Sequence, residues 1–238
     1  MSEPATGLII SCEHASNAVP PAQQALFANA GTVLASHRGF DPGTAEMAWH
    51  IANRLHAPLL CGEWSRLLVD LNRSASSEQV FSEWTAPLNC SQRAALLSKY
   101  HSPWRARFSD MLGEALAHRP KLLHLSVHSF TPVLNGQQRE LDIGCLFDPQ
   151  RPWETELAGQ LINALQQRRR DWRIRANQPY LGTDDGHTTA LRQQWPQDRY
   201  AGLEIEINQA LVYGAEWPRL QVDVTECLRE LIGKKQSH

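Results

Sequence analysis

Hydrophobic and polar positions along the 238-residue chain switch repeatedly between two periods. Short apolar runs at residues 7–12, 58–61, 66–71, 121–128, 141–147, 172–176 and 202–207 read as strands. Several are apolar at every position, as strands covered on both faces by helices would be. Between them, residues 44–56 place Ala45, Ala48, Ile51, Ala52 and Leu55 at three- and four-residue intervals, one helical stripe. Residues 91–117 are helical in character, with Pro103 breaking or kinking them. Residues 153–169 follow Pro152, which suits a first helical turn, and residues 218–232 form a last amphipathic helix. Loops fall at 74–87, 131–140 and 177–187, the last two long enough to carry function. The alternation predicts an α/β protein. There is no repeat, low-complexity tract or Gly/Ser linker to mark a domain boundary.

Composition narrows the classes of function. Hydrophobic residues are 42% and charged residues 20%, enough for a sizeable core and against wholesale disorder. Lys and Arg number 23 against 25 Asp and Glu, a net charge of -2, which argues against a strongly basic nucleic-acid binder. No apolar run reaches the roughly 18 residues a membrane span needs. No basic stretch precedes Leu8-Ile9-Ile10, so no signal peptide is expected. Cys12, Cys61, Cys90, Cys145 and Cys227 are scattered without a C-x-x-C pair. They are expected to be reduced and mostly buried, in a cytoplasmic protein, and not a disulfide framework or a thiolate zinc knuckle.

Several segments could carry chemistry. The run Ser11-Cys12-Glu13-His14 ends a strand in a histidine, and ligands in open α/β sheets sit beyond such ends. In residues 121–128, His124, Ser126 and His128 share one strand face. His128 falls at the carboxyl end, and two imidazoles meeting there would suit zinc or a similar ion. His124 lies deeper and reads as a satisfied core or supporting histidine. Glu204 and Glu206 point to one side of a strand whose other side is Leu203, Ile205 and Ile207. If that strand is central, a buried glutamate beside a metal is a natural general base; if it is an edge, both face water. Asn72 and Arg73 end the apolar run at 66–71, and Arg can grip a carboxylate with two bonds. Asp41 precedes a helix start, as an N-cap or as an oxygen ligand. The loop from Asn177 to His187, with Tyr180, could cover a substrate or lie idle on the surface.

In order along the chain, these pieces resemble the zinc carboxypeptidase superfamily. More closely, Ser11-Cys12-Glu13-His14-Ala15-Ser16-Asn17, His37-Arg38-Gly39-Phe40-Asp41-Pro42-Gly43, Val69-Asp70-Leu71-Asn72-Arg73-Ser74 and Glu206-Ile207-Asn208 resemble the N-formylglutamate amidohydrolase family. The resemblance runs from about residue 8 to about residue 213. It implies one three-layer α/β/α domain over residues 1–238, with a mixed, mostly parallel sheet. It implies Zn2+ or another divalent ion held by His14 and His128, and Glu206 as general base and then acid. Asn72 and Arg73 would bind a substrate carboxylate or the polarised carbonyl, with Tyr180 as a mobile-loop aromatic. Arg139 and Arg192 are further candidates for an acidic substrate. The superfamily's His-x-x-Glu pair is broken here, because Asn17 stands in the fourth position. The third ligand is then Asp41, or alternatively Glu13. The implied reaction is hydrolysis of an N-acyl amino acid, foremost N-formyl-L-glutamate to formate and glutamate. A related deacylase or peptidase, or a metal-free metabolite-binding protein, are the alternatives. The expected partner is a small molecule, without nucleic acid or membrane; the oligomeric state stays open.

Overall fold

The computed structural model of the protein describes residues 6–233. Its main sheet is built from β1 (Thr6–Cys12), β2 (Leu59–Cys61), β3 (Lys121–Phe130), β6 (Ile143–Leu146), β7 (Ile174–Ala176) and β8 (Tyr200–Asn208). Two further strands, β4 (Val133–Leu134) and β5 (Gln137–Gln138), form a small hairpin. The main order is β2-β1-β3-β8-β6-β7. Every neighbouring pair is parallel except β8 with β6, so the sheet is mixed and mostly parallel, as expected.

The helices are α1 (Gly31–Leu34), α2 (Thr44–Leu55), α3 (Cys90–Leu96), α4 (Ser102–His118), α5 (Pro152–Arg168), α6 (His187–Gln194), α7 (Gln209–Val212) and α8 (Trp217–Gly233). Strand alternation sorts them into two outer layers. On one face Leu8, Ile10, Leu123, Leu125, Leu203 and Ile205 pack against apolar residues of α2, α5 and α8. On the other, Ile9, Leu122 and Tyr200 meet Trp104, Phe108 and Leu112 of α4 and Leu191 of α6. This second face carries the polar strand positions. Its carboxyl end is therefore where polar groups lie buried in the sheet. No helix among the described residues is long and apolar enough to cross a membrane.

Three expectations change. Residues 66–71 are turns, not a strand. Leu67 and Leu68 bury against Phe27 and Leu96, whereas Leu71 buries against Ile9 and Trp104. A run that must reach two separate clusters cannot stay extended. The helix expected over 91–117 is divided: α3 passes through a π-helical turn, Leu97–His101, into α4, with Pro103 in the new first turn. The loop at 131–140 is the β4–β5 hairpin, closed by Asn135 and Gly136 with φ of 52° and 77°. The five cysteines are free, with Cys12 and Cys61 opposite each other on neighbouring strands.

A candidate metal centre at the carboxyl ends of β1, β3 and β8

β1 ends at Cys12 and hands the chain to Glu13 and His14, both buried. Next to it β3 delivers His128, and β8 sets Glu206 opposite His128 in register. β8 lies between β3 and β6, so its two glutamates are covered and not at a sheet edge. Gly144 of β6 lies across from Glu206. A Cβ there would lie 1.9 Å from the Gln178 carbonyl oxygen, so only glycine fits. Asp41 arrives from the turn before α2. Its backbone carbonyl, not its carboxylate, receives the Thr44 N–H (3.3 Å) and hydroxyl (2.7 Å), which leaves the carboxylate to turn inward.

His14, Asp41 and His128 each offer one ligand atom, all within 4.8 Å of one another. Asp41 Oδ2 lies 3.3 Å from His14 Nδ1 and 3.0 Å from His128 Nδ1. The opposite ring nitrogens are committed elsewhere. His14 Nε2 donates to Asp70 Oδ1 at 2.7 Å. His128 Nε2 donates to Ser126 Oγ at 2.9 Å, and that hydroxyl donates to Glu13 Oε2 at 2.8 Å. With these tautomers, assigned from the network, both Nδ1 lone pairs face the Asp41 carboxylate. Three electron-rich atoms facing one another need a cation or extra protons between them. Two imidazoles and a carboxylate are the donor set of a zinc-type site, and carboxylates behind the imidazoles are its usual support. The residues present fit a divalent ion.

The charges agree. Burial opposes ionisation of Asp41, yet His14, His128 and Arg66 hold its carboxyl well below the usual carboxylate range. Burial likewise opposes a charged His128, but hydrogen bonds to Asp41 and Glu13 raise its pKa well above the ordinary value, so without an ion a proton on Nδ1 supplies the positive charge between the ring and Asp41. Asp70 is lowered against burial by Arg66 and His14. Glu206 is the exception. Burial dominates there and pushes its carboxyl up to about 8. Its Oε2 has no hydrogen-bond partner among the described residues.

Behind the triad a chain of buried groups continues. Tyr200 OH donates to His124 Nδ1 (2.8 Å), His124 Nε2 to Ser11 Oγ (2.7 Å), and Ser11 Oγ to Glu13 Oε1 (2.7 Å). Burial lowers the His124 pKa to about 3, which suits a neutral linking imidazole. In front of the triad is a cavity of about 150 Å³, with Arg66, Asn72, Arg73, Tyr180, Glu204 and Glu206 in its wall. Another cavity of about 190 Å³, walled by Trp64, Tyr100 and Trp104, gathers no such set of ligand atoms.

A family model described as N-formylglutamate amidohydrolase matches residues 6–213. The chain belongs to the N-formylglutamate amidohydrolase family. A solved gene product of Agrobacterium tumefaciens is 29% identical with a TM-score of 0.77, over 97% of this chain and 90% of its own. The N-formylglutamate amidohydrolase of Ralstonia eutropha JMP134 is 18% identical with a TM-score of 0.71, over 96% of this chain and 94% of its own, and shares the fold. No protein of curated description matches the chain by sequence.

The fold of the N-formylglutamate amidohydrolase family thus gathers His14, Asp41, His128, Asn72, Arg73 and Glu206 around one cavity, with Tyr180 at its mouth. Between Asp41 and Glu13 as third member of the cluster, the geometry favours Asp41. Glu13 lies behind His128, its Oε2 3.3 Å from Nε2. Asn17 is exposed, so the broken His-x-x-Glu pair leaves no gap in the cluster. Asn72 is less free than expected, since its Oδ1 accepts the His187 N–H at 2.7 Å. Arg139 sits over the Tyr180 ring and donates to its hydroxyl (3.1 Å), outside the cavity wall. Arg192 is corrected as a substrate group. Its guanidinium is consumed by Glu154 and by the carbonyls of Gly182 and Gly202, with 6% of the side chain exposed. Sequence reasoning missed Asp70 and Arg66, although Asp70 stands inside the quoted Val69-Asp70-Leu71-Asn72-Arg73 motif. Ser126 shared a face with His128 but was given no role.

Proposed function

We propose that the protein is a metal-dependent amidohydrolase that cleaves an N-acyl amino acid, with N-formyl-L-glutamate, yielding formate and glutamate, as the reference compound. One observation carries the reading: His14, His128 and Asp41 turn electron-rich atoms to a common centre while Asp70, Ser126 and Glu13 hold the far sides of the rings. His14 Nδ1, His128 Nδ1 and an Asp41 oxygen would hold the ion. A bound divalent cation supplies Lewis acidity, polarising an amide carbonyl and acidifying water. Glu206 is the unengaged buried carboxylate beside this centre and acts as the base. It takes a proton from water as the oxygen adds to the acyl carbon. It returns that proton to the amine nitrogen as the carbon–nitrogen bond breaks. Arg73 holds the substrate carboxylate, and Asn72 keeps the segment beside His128. Asp41 completing the triad removes the main motive for a metal-free binding protein, and a deacylase of other N-acyl compounds would use the same groups.

The test measures metal content and hydrolysis together. Zn2+-loaded protein is expected to bind one ion and hydrolyse N-formyl amino acids, and Asp41→Ala to lose the ion. Glu206→Gln is expected to keep it and lose roughly 10²–10⁴ in rate. Glu206→Gln within a few-fold of the parent would reject the assigned base.

A further inference from the structure

The cleft is not neutral toward its ligand. A dianionic substrate needs a cation for each carboxylate, because a desolvated charge left unpaired is costly. Among the described residues, two guanidiniums line the cavity, Arg66 and Arg73. Arg66 is spent: Nε and Nη2 donate to Asp70 Oδ2 (3.2 and 2.8 Å) and Nη1 to Asp41 Oδ1 (3.4 Å). Arg73 touches neutral oxygens, the carbonyls of Asn72 and Asp185 and the amide of Gln79. Of these two, it alone keeps its charge unpaired for a ligand.

The rest of the mouth is acidic and apolar. Asp184 and Asp185 line it, bound to the N–H of Leu181 and of Ser74 and to no cation. Leu146, Tyr180 and Leu181 are its apolar lining, with Tyr180 42% and Leu181 56% exposed. Arg192 does not change the balance, being paired with Glu154, and Arg139, which donates to the neutral Tyr180 hydroxyl, stands outside the cavity lining.

We infer that this cleft selects N-acyl amino acids with one carboxylate and an uncharged, apolar side chain, in preference to N-formylglutamate. The α-carboxylate pairs with Arg73, and the side chain packs on Leu146, Tyr180 and Leu181. Asp184 and Asp185 repel a second carboxylate. The inference rests on the amidohydrolase reading for its reaction but not for its binding preference.

The experiment compares N-formyl-L-glutamate with N-formyl-L-glutamine, an isostere whose side chain is uncharged, and with N-formyl-L-methionine. Turnover is measured on the metal-loaded protein, and binding by calorimetry on Glu206→Gln. The two singly charged compounds are expected to exceed the glutamate compound at least tenfold in kcat/KM and in affinity. Asp184→Asn, whose amide oxygen can still accept from Leu181, is expected to narrow that ratio several-fold. A glutamate compound equal to or better than the glutamine compound overturns the inference. Binding in the expected order without any turnover by the parent overturns the hydrolase reading and upholds the preference. No binding of any compound at millimolar concentration overturns both.

Discussion

Replacing Glu206 by Gln should make the metal-free protein more stable, and increasingly so as pH rises. The carboxyl is 6% exposed, and burial lifts its pKa from 4.5 to about 8. Below about pH 4.5 it is protonated both folded and unfolded, and contributes no difference. Between about pH 4.5 and 8 the unfolded chain releases the proton while the folded chain keeps it, so stability falls with pH. Above about pH 8 the loss is complete. Each pKa unit is worth about 1.4 kcal/mol, so the cost at pH 7 approaches about 3 kcal/mol, and cavity water reduces it to about 2. Glutamine has the shape of the protonated acid and removes the titration without opening a hole. For a chain of this size, about 2 kcal/mol corresponds to a rise of about 4–8 °C in Tm. The assay is urea unfolding of both proteins with chelator at pH 5, 7 and 8.5. The gap should be small at pH 5 and widest at 8.5. Saturating Zn2+ should shrink it, because a cation beside Glu206 favours the ionised parent. A gap that is absent at pH 7, or flat with pH, would refute the argument that burial governs this carboxyl.

Two other outcomes follow from the geometry. His187 is fully buried against Trp104, Phe108 and His124, with neither ring nitrogen hydrogen-bonded, and burial holds its pKa well below 6.5. The unfolded chain then takes up this proton first, so stability drops as pH falls below about 6.5, and His187→Leu should cut the loss between pH 8 and 5 by about 2 kcal/mol; an unchanged loss by thermal unfolding would contradict this. Arg192→Met should cost about 2–4 kcal/mol in urea unfolding, since the buried Glu154 then keeps the N–H groups of Asp148 and Gly202 but only one cation, the Arg151 guanidinium with Nε 3.0 Å away. Arg192→Lys should not rescue it, because one ammonium cannot reach Glu154, Gly182 and Gly202 together.

The parts that could be read from the chain were those set by local pattern. β3 and β8 stand out as apolar runs with polar residues on one parity, which put His124, Ser126 and His128 on one side of the first and Glu204 and Glu206 on one side of the second; that the two sides coincide is set by the register of the folded sheet. The strand expected at 66–71 failed because its leucines serve two clusters that only the folded chain separates. α6 is short and polar, and its first turn is set by the Asn72 side chain, far away in sequence. The hairpin at 133–138 did have a local signal, Asn135-Gly136, that loop length obscured. At the site, the members of the cluster could be nominated from residue type. Their supports could not, since Asp70, Ser126 and Glu13 gain their roles through contacts with rings 56, 2 and 115 positions away.

The segment that carries Tyr180 is fastened along its length. The Asn177 amide oxygen accepts the N–H groups of Phe147 and Gly182, Arg192 grips the Gly182 carbonyl, and Asp185 binds Ser74. Gly182 lies so close to Phe147 that a side chain has no room there. A rim secured at these points needs no closing motion to be complete, so ligand entry should follow simple one-step kinetics. It also means that exchanging residues 180 and 181 can retune what the enzyme accepts while the underlying framework stays as it is.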